Sequence, residues 1–578
     1  MPNLLAMSFE GELAPSFDLR CLHPGEKTPD GWGIGYYPGG EPSAVVLKEP
    51  APPHESIRGD LVKAWEHLAS SLFVLHIRTA TWGNNTDANT QPFMRSWAGR
   101  DWMVAHAGSL RYRLTPVKDT RFEPVGSTDT ELIFCELLGR IAARGWRSLL
   151  DADPEELRGW FDELNEHGTV TMVLTDGQDL CVYADRNTPG TVFMWQLLPP
   201  HGSLVFSDHE LEVDLTRRGI KSRKGVIVSS NPLAPALGSR VDWQPVPPGK
   251  LVLIRQGAIR AVAMPTGQHR ESMLTVRSSH IDVPHRAISK RLRVRHRTVY
   301  RYARPVERST HMLRVEPIHD TLQTLLEHDT RLSVDGQHRV YEDVFGNRVR
   351  RVLIDTPYTE LVIEANSLVE TLDTDPLSFR PIHARTSIPL VWMPWQRHML
   401  DPFLLPPELP DTQLGELVEY AMSFVERNDY DLIDTLVDMN SSIFREYEYK
   451  QGSTTLLTTP FEIYVNRRGV CQDFTNLYIC LARLLGVPAR YTCGYIYTGP
   501  KNPNQRQGEA SHAWVQVYLP EAGWKGFDPT NGVLTQTDHV RVAVGRNYID
   551  ATPTSGTLYV GGGAEKLEIE VRCEVEDP

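Results

Sequence analysis

The feature that most constrains the fold is a predicted amphipathic helix that begins at a cysteine, within RRGVCQDFTNLYICLARLLGVPAR, residues 467–490. After Cys471 the apolar residues recur at steps of three and four, which gives the helix one apolar face. Gly486 and Pro488 predict where the helix ends. A cysteine in the first turn lies at the positive end of the helix dipole, which favours the nucleophilic thiolate. The simpler interpretation is a small buried apolar side chain, the usual role of a free cysteine.

Two predicted strands follow the helix and carry the polar residues that a nucleophilic cysteine needs. The first, SHAWVQVYLP at residues 511–520, alternates strictly and begins near His512. The second, within AGWKGFDPTNG at residues 522–532, ends at Asp528 before a turn. Neighbouring antiparallel strands can place His512 beside Asp528, and the helix can then bring Cys471 to the imidazole.

These three residue types together suit nucleophilic catalysis. The cysteine attacks, the histidine takes its proton and later returns one to a leaving group, and the aspartate fixes the imidazole tautomer. We therefore predict that Cys471, His512 and Asp528 form a catalytic triad. The alternative is that each of the three has only a structural role. The polar loop at residues 498–508 could form a lip of the same cleft.

The motifs around these residues carry a resemblance to a known family. GVCQDFTNLYICLARLLGVPARYTCGY, SHAW and WKGFDPTNG resemble the transglutaminase-like core of the papain-like superfamily, whose catalytic positions match Cys471, His512 and Asp528. TVYRYARPVERSTHMLRVEP and YEDVFGNRV resemble the N-terminal β domain of bacterial transglutaminase-like proteins, and residues 542–572 resemble the end of that family. The resemblance implies a cysteine protease or related hydrolase that forms a thioester at Cys471. Water as acceptor gives a peptidase or amidase, and an amine gives a protein-glutamine transglutaminase.

The N-terminal region carries a second resemblance. MPNLLAMS, DGWGIGYY, HIRTATWG, NTQPF, WMVAHAGSL and STDTELIF resemble class II glutamine amidotransferases of the N-terminal-nucleophile fold. The resemblance implies an αββα sandwich in which a cysteine after the initiator methionine attacks glutamine. It also implies substrate-binding roles for an arginine, for the glycine of an Asn-Gly oxyanion pair and for an aspartate, which match Arg78, Gly108 and Asp129.

Two departures from this pattern predict that the N-terminal region is inactive. Pro2 stands at the nucleophile position, and Ala107 stands where the family has the oxyanion asparagine. Losing one oxyanion donor costs on the order of a hundredfold in rate, and without the nucleophile no acyl-enzyme can form. We therefore predict a pseudo-amidotransferase without glutaminase activity, whose Arg78, Gly108 and Asp129 can still shape an amino-acid pocket for binding or regulation. Use of the Pro2 amine as a base is a remote alternative.

Length and local composition divide the chain into several domains. A chain of 578 residues is expected to contain about three or four domains. We predict an α+β multidomain protein whose parts are a glutamine amidotransferase-like sandwich at residues 1–265, a polar linker at 266–290, a small β domain at 291–375, and a transglutaminase-like core with its C-terminal tail at 376–578. Within the core, the proline-rich residues 376–410 are predicted to be irregular.

Composition narrows the class of protein. The net charge of −13 without long runs of one sign argues against nucleic-acid binding. The N-terminus does not resemble a signal peptide, and no apolar run is long enough to span a membrane. The seven cysteines are scattered and never form a CxxC pair, which disfavours a disulfide scaffold and a zinc site and favours the cytoplasm. We predict no metal, calcium or other cofactor, and a peptide or protein substrate as the partner, and we leave the oligomeric state open.

Two other functions stay open at this point. A scaffold or binding protein would contain two inactive units, but the intact set of cysteine, histidine and aspartate argues against it. An active glutamine amidotransferase that supplies ammonia to a partner is disfavoured by Pro2 and Ala107. We interpret His311 as a structural strand histidine, and we leave Trp514 and Trp524 open between a cleft wall and the core.

Overall fold

The computed structural model of the protein describes residues 4–19, 28–40, 42–64, 68–79, 83–111, 121–199, 204–207, 211–215, 223–235, 242–265, 289–372, 387–499, 511–520 and 522–576. The chain forms two compact units, Met1–Ser279 and His280–Pro578. Position 2, most of the predicted linker and most of the predicted lip at residues 498–508 lie outside the described residues.

The first unit is mainly β-structure with helices at its surface. Its strands are β1 (Leu4–Leu13), β2 (Ser16–Leu19), β3 (Gly31–Tyr36), β4 (Val45–Glu49), β5 (Ser70–Arg78), β6 (Phe93–Trp97), β7 (Arg100–Leu110), β8 (Gly168–Thr175), β9 (Asp179–Tyr183), β10 (Phe193–Leu197), β11 (Val205–Ser207), β12 (Leu211–Asp214), β13 (Gly225–Ser229), β14 (Ala234–Pro235), β15 (Gln244–Pro245), β16 (Leu251–Arg255) and β17 (Ala258–Ala263). Its α-helices are α1 (Ile57–Ala64), α2 (Asp129–Arg144) and α3 (Pro154–Glu166).

Two large sheets of this unit stack face to face. One has the strand order β15-β10-β13-β1-β5-β3-β4, and the other β17-β16-β9-β8-β7-β6. Buried residues of both sheets, among them Val74, Met103 and Val173, form one apolar layer between them. Helices α2 and α3 cover the outer face of the second sheet, and α1 with a small sheet of order β14-β11-β12-β2 lies outside the first. This is the predicted sandwich.

Local signals explain the helices of this unit. The hydroxyl of Thr128 caps α2 by accepting from the Glu131 backbone N–H, and Gly145 ends the helix with a φ of 74°. Asp153 caps α3 in the same way, directly before Pro154. The hairpin of β8 and β9 turns at Gly177, whose φ is 92°.

The second unit contains a β domain and a mixed core. Its strands are β18 (Ser289–Leu313), β19 (Gln323–Leu332), β20 (Gln337–Glu342), β21 (Arg348–Ile354), β22 (Tyr358–Leu372), β23 (Glu448–Tyr449), β24 (Arg468–Gly469), β25 (Ala489–Ile496), β26 (His512–Leu519), β27 (Gly523–Asp528), β28 (Val533–Leu534), β29 (His539–Gly545), β30 (Thr554–Gly561) and β31 (Glu565–Val575). Its helices are α4 (Pro394–Leu404), α5 (Asp411–Arg427), α6 (Leu432–Glu446), α7 (Pro460–Asn466), α8 (Cys471–Leu484) and α9 (Tyr548–Ala551).

The C-terminal strands complete the sheet of the β domain. The strand order there is β19-β22-β18-β21-β20, and β30 and β31 also pair with the long strand β18. One edge of β18 pairs with β22, and β31 covers its other edge from Leu292 to Tyr302. The tail that the sequence groups with the core is therefore hydrogen-bonded to the β domain, because β18 would otherwise present a long unpaired edge.

The core has one sheet, of order β28-β27-β26-β25-β29, that is covered on both faces. On one face, α5, α6, α7 and α8 pack against apolar residues such as Val515 and Val517. On the other face, Val540 and Val542 pack against Leu292 of the β domain. Burial on both faces explains why β26 and β29 are buried along almost their whole length.

Two regions of the second unit differ from the expectations. The segment at residues 376–410 contains α4, although it was predicted to be irregular. Pro394 occupies the first turn of that helix, where the missing N–H costs nothing, and Pro402 lies near its C-terminal end. Strand β18 begins at Ser289, inside the stretch predicted as a linker.

Among the described residues, no helix is both long and apolar enough to cross a membrane.

Candidate active site

The first turn of α8 holds Cys471. Cys471 is the first residue of the helix, as predicted, and its side chain is largely buried. The Asp473 carboxylate caps this turn by accepting from the backbone N–H of Val470 at 2.8 Å and from the Thr454 hydroxyl at 2.6 Å. A side chain at Gly469 would place its Cβ only 2.9 Å from Cβ of Asp473. The glycine therefore allows the close approach that fixes the start of the helix.

Strands β26 and β27 bring His512 and Asp528 together. The strands pair antiparallel with Val515 opposite Phe527, so His512 at the start of β26 lies near Asp528 at the end of β27. Nε2 of His512 donates to Oδ2 of Asp528 at 2.8 Å, and both side chains are completely buried. The Cys471 thiol interacts with His512 and helps to raise the pKa of its imidazole. The structure thus brings the three predicted residues together.

The carboxylate of Asp528 is surrounded by donors. Besides His512, Oδ2 accepts from Nδ2 of Asn531 at 2.7 Å and from Nε2 of His539 at 3.1 Å. Oδ1 accepts from the backbone N–H groups of Thr530 and Asn531, at 3.0 and 3.3 Å. Because a carboxylate only accepts, both histidines carry a proton on Nε2. The Nδ1 atom of His512 is then the lone-pair nitrogen that can take a proton from Cys471.

Electrostatics favour a charged histidine and a charged carboxylate in this site. Burial alone would lower the pKa of His512, but the charge and hydrogen bond of Asp528 outweigh it and, with the Cys471 thiol, raise that pKa to about 10. Burial alone would raise the pKa of Asp528, but His512 and His539 hold it well below its ordinary value. The arrangement therefore stabilises an imidazolium, the partner that a thiolate at Cys471 requires.

The polar contacts among these side chains are hydrogen bonds. Among the residues that the structure describes, His512, Asp528 and His539 are the group of potential ligands whose donor atoms lie within 4.8 Å of one another. Both Nε2 atoms lie within hydrogen-bond distance of the carboxylate.

His539 and Asn531 were not identified from the sequence as members of the site. Asn531 lies in the turn after Asp528, so the DPTNG motif contained a weak signal for it. His539 is an isolated histidine at the start of β29, and no spacing marks it. Only the sheet topology shows that it reaches Asp528.

The other singled-out residues have structural roles. Trp514 is fully buried, with its ring 5.8 Å from that of His512, so it belongs to the interior. Trp524 packs its ring 5.2 Å from that of Phe403. His311 is buried and hydrogen-bonded to Ser309 and Tyr358, as its structural interpretation predicted.

The amidotransferase-like residues of the first unit each have local partners. The Arg78 guanidinium, at the end of β5, donates to Oδ1 of Asn85 at 2.8 Å and to the backbone carbonyls of Gly83 and Asn84. The Asp129 carboxylate, in the first turn of α2, accepts from the backbone N–H groups of Leu110 and Thr130, at 2.9 Å each.

Gly108 lies on β7, against the neighbouring strand. A Cβ at this position would lie 2.2 Å from the carbonyl oxygen of Thr169 and 2.6 Å from Nε2 of His106. The close approach of backbone explains the glycine. The predicted pocket residues are therefore ordered by contacts with a nearby loop or a neighbouring strand.

Sequence models of three known families match successive parts of the chain. The model of class II glutamine amidotransferases matches residues 1–278. The bacterial transglutaminase-like N-terminal region matches residues 292–370, and the transglutaminase-like superfamily matches residues 419–529.

Individual proteins show the same similarities. The chain is 32% identical over 297 residues to an uncharacterised protein of Mycobacterium tuberculosis, covering 49% of this chain and 91% of that protein. It is 31% identical over 225 residues to YafJ of Escherichia coli, assigned by name to the glutamine amidotransferases, covering 38% of this chain and 83% of YafJ. A crystal structure from Cytophaga hutchinsonii, assigned by name to the cysteine proteases, aligns with a TM-score of 0.41 and 21% identity, covering 50% of this chain and 93% of that one.

These matches agree with the two resemblances that the sequence motifs carry, and they follow the same order along the chain. They support a cysteine-dependent acyl-transfer enzyme in general terms. The chain belongs to the class II glutamine amidotransferases through its N-terminal half, with a proline at position 2, and its C-terminal half is similar to the bacterial transglutaminase-like proteins.

Proposed function

We propose that the protein is a peptidase or amidase that cleaves peptide or isopeptide bonds through a thioester at Cys471, with His512 and Asp528 as its other catalytic residues. The observation that carries the proposal is the buried hydrogen bond between His512 and Asp528, together with the electrostatic interaction of the Cys471 thiol with His512. A nucleophile, a base and a residue that orients the base are the minimum that such chemistry needs.

The first half of the reaction forms the thioester. The Cys471 thiolate attacks the carbonyl carbon, which makes the S–C bond and a tetrahedral oxyanion. The backbone N–H of Cys471 lies in the first turn of α8, and we assign it as a donor to that oxyanion. The His512 imidazolium then gives its proton to the leaving nitrogen as the C–N bond breaks.

The second half releases the acid. Neutral His512 takes a proton from water, and the hydroxide adds to the thioester carbon. The C–S bond breaks, which frees the carboxylic acid and restores the thiolate beside an imidazolium. Asp528 stays ionised throughout, since its role is to orient the imidazole and stabilise its positive charge.

An amine in place of water would give a transglutaminase with the same first half. The residues of the site do not distinguish the two acceptors, because both use the same thioester. We therefore name hydrolysis as the proposal on the family resemblance and let the experiment below separate the two. We also place the reaction in the cytoplasm, on the basis of the free cysteines among the described residues.

We assign the first unit a binding or regulatory role without glutaminase activity. Pro2 provides no side-chain nucleophile and Ala107 provides no side-chain donor for an oxyanion. Arg78 and Asp129 keep charges that could bind the carboxylate and the amine of an amino acid or of a peptide terminus. The proposal supported by these residues is recognition of such a group rather than its hydrolysis.

The experiment that tests the proposal is a screen of the full-length protein on peptide and isopeptide libraries, with and without an added primary amine. Cleavage that Cys471→Ala abolishes supports the hydrolase, whereas product that carries the added amine supports a transglutaminase. Cys480→Ala is the matched control, because Cys480 is a buried cysteine of the same helix with no part in the site. Cleavage that survives Cys471→Ala would show that another group is the nucleophile.

A further inference from the structure

Asp528 serves two histidines, and the reaction as described uses only one of them. Oδ2 of Asp528 accepts from His512 at 2.8 Å and from His539 at 3.1 Å. We propose that His539 is a positioning residue of the acyl-transfer site. It holds the Asp528 carboxylate in the orientation that His512 needs, and its hydrogen bond stabilises the negative charge of that carboxylate. This inference rests on the proposed function, since it concerns the same reaction.

The path by which His539 reaches the carboxylate is specific. His539 begins β29, which pairs with β25 and not with the strand of Asp528. On β25, Gly494 pairs with His512 of β26, and Ile496 pairs with His539 of β29. The two histidines that contact Asp528 therefore come from the two strands that flank β25. Their ring centroids are 6.2 Å apart.

Packing holds the His539 ring in place. The Trp514 ring packs edge-on against it at 5.2 Å. Gly494 makes room for this arrangement, because a Cβ there would lie 2.6 Å from the Trp514 ring and 2.0 Å from the carbonyl oxygen of Val540. The side chain of His539 is 4% exposed. A buried, packed ring that donates to the catalytic carboxylate restricts how that carboxylate can rotate.

The charged groups around His539 are few. Asp528 and, beyond it, His512 and Cys471 lie on its Nε2 side. His539 also lines a cavity of about 60 Å³, to which Lys525 and Arg541 contribute. The Arg541 guanidinium is paired with Asp320 at 2.6 Å. The contact that couples His539 to the reaction is therefore its hydrogen bond to Asp528.

The electrostatic consequence has a definite sign. A hydrogen bond from His539 stabilises the negative charge of Asp528 and so weakens the hold of that charge on the His512 imidazolium. Removing the donor should therefore make His512 lose its proton at higher pH. It should also slow the reaction, because the carboxylate loses one of its restraints. A side chain that only filled space would change stability and rate without moving the titration.

The test compares His539→Phe, which keeps a flat ring against Trp514 but removes the donor, with His539→Gln, which retains an N–H donor. The rates of alkylation of Cys471 by iodoacetate and by iodoacetamide are followed by mass spectrometry against pH. The ratio of the two rates reports the imidazolium, since its positive charge attracts the anionic reagent. His311→Phe is the control, because His311 is a buried histidine remote from Asp528.

We expect the midpoint at which the ratio falls to rise by about half a pH unit in His539→Phe. Cleavage of the substrate found in the library screen should fall about tenfold, the lower range for loss of a residue that supports a functional group. His539→Gln should restore much of both, and His311→Phe should change neither. A midpoint in His539→Phe that equals the wild-type value would overturn the inference and leave the proposed function intact. Absence of Cys471 alkylation in the wild type would overturn both.

A wild-type measurement covers the case in which the variants fail to fold. Histidine-selective ¹⁵N labelling should show His539 with its proton on Nε2, the tautomer that donation to Asp528 requires. The resonance is assigned by its loss in His539→Gln or, if that variant is unfolded, by its nuclear Overhauser effects to protons of Trp514. A proton on Nδ1 alone would contradict the inference, because Nε2 could then not donate to the carboxylate.

Discussion

The two units of this chain differ in how the residues marked by their family motifs are arranged. In the second unit, His512 is hydrogen-bonded to the buried Asp528 carboxylate and interacts electrostatically with Cys471. In the first unit, Arg78 and Asp129 each bind nearby backbone and side-chain groups, and position 2 is a proline. Residues that match a family motif can therefore support the fold even where the reacting group of the family is absent.

Gly108 illustrates this difference. It matches the oxyanion glycine of the amidotransferases, but a Cβ there would clash with the neighbouring strand. A glycine is required at this position whether or not the unit has activity. By contrast, packing alone does not require a buried carboxylate that is hydrogen-bonded to two histidines. Burying a charge costs free energy, so such a carboxylate indicates a functional or structural role.

The largest effect that would sharpen this contrast is expected from Asp528→Asn. The asparagine amide no longer stabilises the imidazolium and allows the wrong tautomer of His512, so cleavage should fall by about three to four orders of magnitude. The measurement is kcat/KM on the substrate found in the library screen. Asp438→Asn is the control, because Asp438 forms an ion pair with Arg427 away from the site at 2.5 Å. A loss of less than tenfold in Asp528→Asn would argue that this carboxylate does not serve the reaction.

An intermediate effect is expected in the first unit, from rebuilding its missing groups. Pro2→Cys alone should release little ammonia from glutamine, because Ala107 still offers no donor to the oxyanion. Pro2→Cys with Ala107→Asn should be faster by about a hundredfold, the value of one such donor. The assay is ammonia release, and Arg78→Ala in the double variant should abolish it. Glutamine hydrolysis by the wild type that depends on Arg78 would show that this unit is not inactive.

The smallest effect is expected on stability against pH. The pKa of His512 rises from 6.5 to about 10 in the folded protein, so the folded state keeps a proton that the unfolded state loses above about pH 6.5. This stabilisation is complete below pH 6.5 and is lost as the pH rises through about 10. Between these values the thermal midpoint of the wild type should fall by roughly five to ten degrees more than that of His512→Gln. Equal changes in both proteins would contradict an imidazolium held by Asp528.

The sequence predicted those parts of the fold and the site that depend on short stretches of chain. The periodic run after Cys471 marks α8, and Gly486 and Pro488 mark its end. His512 and Asp528 could be paired because their strands are consecutive and form an antiparallel hairpin-like pair.

The parts that the sequence did not predict depend on long-range pairing or on a proline. His539 meets Asp528 only because β29 joins the sheet next to β25, and no local pattern encodes that order. The same holds for β31, whose pairing with β18 moves the tail onto the β domain. The prolines of residues 376–410 suggested an irregular segment, although Pro394 in a first turn is compatible with a helix.

The most direct test of the central claim is the intact mass of the full-length protein after exposure to a peptide-derived electrophile that reacts with activated thiols. We expect a single adduct, which peptide mapping places on Cys471 and which disappears in Cys471→Ala. It should form at least about a hundredfold more slowly in His512→Gln, because the thiolate loses its cationic partner. An adduct that forms equally fast in His512→Gln, or that maps to another cysteine, would contradict the assignment of Cys471 as a nucleophile activated by His512.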